Sequence, residues 1–407
     1  MWLIITTFST LILTIPAYSL TVEEAVRIAL AGNPDLQALR LEEVRAKGQL
    51  EKALLFFSNN PTVEGNISAK DRPEEEGGGK FTNYGFKLSQ EFEIAGQRDT
   101  RIDIAGKESA RVKAEINDKE RVLTGDVKDA FTRVLALKKK SGLAREIVRL
   151  NEELLGYTKI KFQAGEVSGL DVNLAEVELS KAKKELLLSG KEYREGLLAL
   201  QGFLGASPDL SLAVQGDLPS ESPVLPDKGV LQEALSRRPD AKATLFEVER
   251  NRSAQKLTEK EVVPNITLSG FYDRDELKNV VGIEMSIPLP LFDRKQAEKK
   301  EAYAKAEGAR IKSEGLKKAI AREVEQALSD LATASEELSI FKKEIIAKAA
   351  ENLDLLNLAF KEGKIGFFEV RLAQKDTIEA QLAYIDTQTR VQLSLNAIEK
   401  TIGGALK

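Results

Sequence analysis

The sequence predicts a mainly α-helical fold with a β-barrel part, laid out as two internal repeats, each a β-hairpin joined to long coiled-coil helices. Three observations carry that prediction. The second half of the chain repeats landmarks of the first in the same order. Each copy holds two runs of period-two alternation just after a proline. Each second run then gives way to about 65 residues of helical pattern with almost no turn signal.

The N-terminus sets the compartment. Residues 1–19, "MWLIITTFSTLILTIPAYS", carry no charge, and Leu3 to Ile15 form an apolar core too short to span a bilayer. Ala17 and Ser19 are the small residues that precede a cleavage point. Residues 1–19 are therefore read as a secretory signal peptide, with the mature chain starting at Leu20. The chain has no cysteine, so no lipid anchor is expected. Past residue 20 no apolar run reaches about 18 residues, so no transmembrane helix is expected. An exported chain of this kind enters a membrane only as a closed barrel, because lipid satisfies no free backbone group.

The first repeat is read as residues 20–228 and the second as 229–407. "AVRIALAGNPDLQAL" (25–39) matches "VLQEALSRRPDAKAT" (230–244), with Pro34-Asp35 on Pro239-Asp240.

The hairpins follow, at about 61–95 and about 264–292. "PTVEGNISAK" puts Val63 and Ile67 on one face, with Glu64, Asn66 and Ser68 on the other. "NYGFKLSQEFEI" sets Tyr84, Phe86, Leu88, Phe92 and Ile94 against Lys87, Ser89, Glu91 and Glu93. In the second copy Ile266, Leu268 and Tyr272 oppose Thr267 and Ser269. Val281, Ile283, Met285, Ile287, Leu289 and Leu291 likewise oppose Gly282, Glu284, Ser286 and two prolines. The loop "DRPEEEGGGKFT" reads as long and flexible. No buried strand and helix frame its glycines, so it is not a phosphate loop. Aromatics, Phe271 among them, are expected near the strand ends, where membrane interfaces favour them.

Long helices connect these pieces. Leu123, Val127, Ala130, Val134 and Leu137 mark a heptad seam, and after a slip Leu143, Ile147, Leu150 and Leu154 continue it. "KFQAGEVSGLDV" (161–172) matches "AFKEGKIGFFEV" (359–370). These segments are read as helical tips at about 160–172 and about 358–370. Gly165 and Gly363 supply the left-handed backbone that a tight turn between helices needs.

Composition excludes much chemistry. The 407 residues are 30% charged with a net charge of −4, and Lys and Arg are spread along helices, so no nucleic-acid partner is expected. Histidine and cysteine are absent, and Met285 is the only methionine besides the initiator. Thiol and histidine catalysis and soft-metal capture lack their ligands. No enzyme, no cofactor and no bound metal are expected. Carboxylates at helical spacing read as solvated faces.

The strands are long enough to cross a bilayer when tilted, and their apolar faces belong outward. Four strands do not close a barrel, so the barrel must be shared between identical chains. "SQEFEIAGQR" (89–98) is then the point where a membrane strand becomes a helix. Gly96 gives the permissive backbone, and Gln97, Arg98 and Arg101 open the polar side. Asp293 marks the same place in the second copy.

The repeated Pro-Asp entry, the two hairpins and the paired tip segments together resemble the outer membrane efflux protein family, the TolC-like channels of tripartite pumps. The likeness covers essentially residues 20–405. "SQEFEIAGQR" is similar to the junction of the cobalt–zinc–cadmium type branch. The resemblance implies a homotrimer with a twelve-stranded outer membrane barrel on a periplasmic α-helical tunnel. It implies a passive exit duct for small solutes or heavy-metal cations, partnered by a periplasmic adaptor protein, a proton-driven inner-membrane transporter and outer membrane lipid. It places Phe162, Gly165, Val172, Phe360, Gly363 and Val370 at adaptor-docking tips, and Glu369 and Asp171 at the periplasmic gate. The alternative on this fold is the outer membrane duct of a type I protein secretion system. The alternative of another class is a secreted coiled-coil scaffold, which would lack the repeated hairpins.

Overall fold

The computed structural model describes residues 18–208, 212–224, 229–276 and 278–404. Residues 1–17, most of the expected signal peptide, lie outside the described residues. In chain order the elements are β1 (Tyr18–Leu20), α1 (Val22–Gly32), α2 (Pro34–Leu54), β2 (Thr62–Arg72), β3 (Gly79–Phe92), α3 (Gln97–Gln163), α4 (Gly169–Leu204), β4 (Leu212–Val214), α5 (Val230–Arg237), α6 (Pro239–Lys260), β5 (Ile266–Asp275), β6 (Lys278–Ser286), α7 (Gln296–Ile340), a π-helical turn (Phe341–Ile345), α8 (Ile346–Lys361) and α9 (Phe367–Ile402).

The order helix, helix, hairpin, long helix, return helix occurs twice, as the internal repeat predicts. Pro34 and Pro239 open α2 and α6, where the missing N–H is not needed. Asn33 caps α2 by accepting from the Leu36 N–H at 3.1 Å. Arg238 holds that place in the second copy and gives no side-chain cap. Its guanidinium pairs with Asp240 at 2.6 Å instead.

The chain divides into two compact units. One comprises residues 1–37, 119–237 and 320–407. Val127, Val134, Leu200, Leu204, Ile398 and Ile402 are buried in it. So is Leu20 of β1, which pairs in parallel with Val214 of β4. Leu123, Val127, Ala130 and Val134 are buried, in line with the heptad reading. Beyond the slip the seam moves by one residue. Ala144, Asn151, Leu154 and Thr158 are buried, and Leu143 and Leu150 are only half-buried. The polar members fit because each bonds its own helix: Asn151 donates to Ile147 O and Thr158 to Leu154 O, both at 2.8 Å.

The other unit comprises residues 38–118 and 238–319. Its sheet is antiparallel, in the order β2-β3-β5-β6. The register sets Val63 beside Leu88, Gly65 beside Phe86, Leu268 beside Met285 and Gly270 beside Ile283, so the apolar sets share one face. That face is uncovered: Ile67 is 82% exposed and Ile283 80%. The opposite face is polar, with a Lys87–Glu284 ion pair at 2.9 Å and a Ser269 to Ser89 hydrogen bond at 2.9 Å.

Three details depart from the sequence reading. The alternation expected to run to Leu291 outlasts its strand: β6 ends at Ser286, before Pro288 and Pro290, which have no N–H for a ladder. The first hairpin loop is short: β2 runs to Arg72 and β3 starts at Gly79, and three consecutive glycines with positive φ, Gly77 to Gly79, turn the chain. Phe271 is not at a strand end. It lies mid-strand on the polar face, opposite Gly282, where a Cβ would stand 2.5 Å from its ring. The ring covers the glycine, so its position answers a packing need within the sheet.

Candidate functional site

Two places carry the candidate residues. The first is the strand–helix junction. Gly96 has φ +72°. The Ala95 N–H donates to Gln97 Oε1 at 2.8 Å, and Gln97 Nε2 donates to Asn265 Oδ1 at 3.2 Å. Lys260 Nζ donates to Gly96 O at 2.9 Å, which ties α6 to the turn. Arg98 donates to the carbonyls of Leu54 at 2.7 Å and Leu55 at 3.1 Å. It thereby anchors the segment that leads into β2.

The second junction repeats this plan with other residues. The Arg294 N–H donates to Gln296 Oε1 at 2.8 Å. The left-handed residue is Lys295, at φ +62°. The counterpart of Gly96 is thus Lys295. Asp293 has a different task, accepting from the Lys295 N–H at 2.8 Å. The sequence reading took Gln97 only as the start of the polar side and passed over Gln296. Their signal was a glutamine directly after the residue that must take positive φ. Around the junctions Leu54, Leu55, Phe56 and Phe57 before β2, and Leu289, Leu291 and Phe292 after β6, are exposed.

The second place is the pair of tips. Gly165 and Gly363 have φ +79° and +72°. In both tips the same two bonds close the helix. Glu166 N donates to Lys161 O at 2.9 Å and Gly165 N to Phe162 O at 3.0 Å. Lys364 N donates to Ala359 O at 2.9 Å and Gly363 N to Phe360 O at 3.0 Å. This six-to-one and five-to-two pattern needs a residue without a Cβ penalty at the turn.

The side chains around the two turns differ. Phe162 is 49% exposed and its ring lies over Gly169, whereas Phe360 is 2% exposed. Phe360, Phe367 and Val370 pack with Leu154 and Ala175 in one apolar cluster. Phe360 and Val370 are therefore core of the tip. Val172 is half-buried. Leu170 and Phe368, 66% and 65% exposed, are among the apolar groups presented outward.

The acidic residues also divide. Asp171 Oδ2 accepts from Ser168 N at 2.9 Å and Ser168 Oγ at 2.7 Å, and the Asp171 N–H donates back to Ser168 Oγ, closing a capping box. Glu369 is exposed and curls over Gly366, which has no side chain to reciprocate. Arg371 is engaged by Glu178 at 3.0 Å. Among the described residues no cluster of carboxylates is built to hold a metal.

The model of the outer membrane efflux protein family matches residues 25–206 and 230–404. The chain belongs to the outer membrane efflux protein family. It is 24% identical over 389 residues to the cobalt-zinc-cadmium resistance protein CzcC of Cupriavidus metallidurans, covering 94% of this chain and 90% of that one. It is 25% identical over 413 residues to the outer membrane protein OprJ of Pseudomonas aeruginosa, covering 93% and 83%. The nickel and cobalt resistance protein CnrC of C. metallidurans is 26% identical over 316 residues, covering 75% and 72%. Among solved structures, the outer-membrane channel OprN aligns with a TM-score of 0.81 at 20% identity, over 94% of this chain and 90% of that one. CusC aligns with a TM-score of 0.81 at 16% identity, over 94% and 92%.

As an outer membrane efflux protein the chain is an outer membrane channel with its helical part in the periplasm. The exposed apolar face of its sheet is then the lipid face, and the face with Lys87 and Glu284 is the lumen side.

Proposed function

We propose that three copies form the passive exit duct of a tripartite efflux assembly that carries heavy-metal cations. One observation supports this above others. The sheet has an uncovered apolar face and two strands, β2 and β6, with one unpaired edge each. In lipid such edges are satisfied only by closure with further copies. The names of two relatives, the cobalt-zinc-cadmium resistance protein CzcC and the nickel and cobalt resistance protein CnrC, support metal ions as cargo. A proton-driven transporter of the inner membrane supplies the energy. A periplasmic adaptor meets the tips through Leu170, Phe368 and Phe162, around turns kept open by Gly165 and Gly363.

Deleting the gene tests the reading. Cells should become sensitive to cobalt, zinc or cadmium, and the wild-type chain should restore tolerance. Unchanged metal tolerance together with a lost secreted protein would replace the proposal with a type I secretion duct.

A further inference from the structure

The lipid face is not equally tall on every strand. An outer membrane barrel presents an apolar band about 25 Å tall, on strands tilted by about 35–45°. At about 3.3 Å per residue and a tilt of about 40°, the run from Tyr84 on β3 to Ile94 just past it rises about 25 Å and fills the band. The edge strands fall short. Val63 to Ala69 on β2 rises about 15 Å, and Val281 to Met285 on β6 about 10 Å. A bilayer has one thickness around the molecule, so both edges need further apolar groups.

The turn end does not supply them, since the next residues on that face are Asp71 on β2 and Asn279 on β6. The helix end does. All of residues 54–57, ahead of β2, are Leu or Phe, and Ile287, Leu289, Leu291 and Phe292 follow β6. Every one of these side chains is between 40% and 92% exposed. Carried on to Leu291, the run from Val281 reaches up to about 25 Å. The Phe57 ring meets Phe92 of β3 edge-on at 5.5 Å, which joins the added groups to the lipid face.

Neither segment is a strand, and irregular backbone enters lipid only where its polar groups have partners. Here many of them do. Pro288 and Pro290 have no N–H, and the Leu291 N–H donates to Leu289 O at 2.9 Å. Gln296 Nε2 donates to Phe292 O at 3.1 Å. On the other segment the Leu55 N–H donates to Lys52 O at 3.3 Å, and Arg98 occupies the carbonyls of Leu54 and Leu55. The Arg98 guanidinium also lies 5.9 Å from the centre of the Phe56 ring, a cation held beside an aromatic as at a membrane interface. Directly after Phe292, residues 293–300 hold Arg294, Lys295, Lys299 and Lys300 against Asp293 and Glu298. Apolar groups followed by an excess of cations match acyl chains followed by anionic phosphates.

We propose that residues 54–57 and 287–292 form a collar immersed in the periplasmic leaflet of the outer membrane, and that the occupant of this surface is phospholipid. The membrane boundary then lies at Arg98 and Arg294, below the last strand residues.

Tryptophan fluorescence tests this on a chain whose one tryptophan, Trp2, falls in the expected signal peptide. Phe56→Trp and Phe292→Trp are made in the full-length chain, with Ile283→Trp as the lipid-face reference, Ser68→Trp as the lumen reference and the parent chain as blank. Each protein is reconstituted into vesicles of phosphatidylethanolamine and phosphatidylglycerol, with or without bromine near the headgroup end of one acyl chain. Both collar variants are expected to be quenched about as strongly as Ile283→Trp, and about threefold more than Ser68→Trp. Quenching no greater than that of Ser68→Trp overturns the proposal: blue emission would place a second copy over the collar, and red emission would place water there. An unquenched Ile283→Trp would overturn the lipid face and the collar with it. Leu55→Trp and Leu289→Trp take the place of either collar variant that does not assemble.

Discussion

Lys295 and Gly96 do the same job with unequal means. Both sit at positive φ one residue before a long helix. A side chain in that region costs about 1–2 kcal/mol against the ordinary helical region. Glycine avoids the cost but loses more chain entropy on folding, by about 0.5–1 kcal/mol. Lys295 recovers little from its Glu298 contact at 3.0 Å, since both side chains are well exposed. Lys295→Gly is therefore expected to stabilise the protein by about 0.5 kcal/mol. Gly96→Ala is expected to destabilise it by about 1 kcal/mol. Thermal unfolding in detergent compares the two; a loss on Lys295→Gly would show that the lysine earns its place through contacts.

At the scale of packed elements, two carboxylates respond to acid in opposite senses. Glu108 on α3 is bonded by Arg111 and Arg250, at 2.8 Å each, and Arg111 holds its pKa below the usual carboxylate range. Its contribution is present above the ordinary value of about 4.3 and is lost as pH falls through the lower folded value. Asp129, also on α3 and bonded by Asn396 at 3.0 Å, is pushed up by burial. Its charged form is a burden above the raised folded value, and the burden is relieved as pH falls through it. Glu108→Gln should lower the melting temperature at pH 7, with the gap closing below pH about 4. Asp129→Asn should raise it at pH 7, with its gap closing over the range just above pH about 4. Equal effects at both pH values would remove the titration argument. The same elements show how far the sequence could be read. Period-two alternation is local, so both hairpins and their faces were legible. The tip turns were legible because a glycine between helical runs has one common use. Phe162 and Phe360 looked alike in sequence, yet one is exposed and the other is core. The difference comes from Leu154, Ala175 and Val370 across the helix pairs, contacts that no single-helix period records. The buried seam beyond the slip was misread for a related reason: Asn151 and Thr158 bond their own backbone and so enter positions that apolar periodicity assigns elsewhere.

At the scale of the whole molecule, the threefold symmetry of the proposed trimer would multiply whatever charge each tip leaves free. Asp171 is committed to its capping box with Ser168 and stabilises α4. Glu369 occupies the same third position of α9, but its cap residue is Gly366, and among the described residues it makes no ion pair. Three Glu369 carboxylates around one axis would raise the local cation concentration at the channel mouth, the device used by acidic rings in other pores. The two acids should therefore separate by experiment. Glu369→Gln is expected to reduce the cation preference of single channels in planar bilayers, with unfolding little changed. Asp171→Asn is expected to leave selectivity unchanged and to cost about 1 kcal/mol of stability through the weakened cap. Selectivity that follows Asp171 instead, or neither residue, would move the charged constriction away from the second tip.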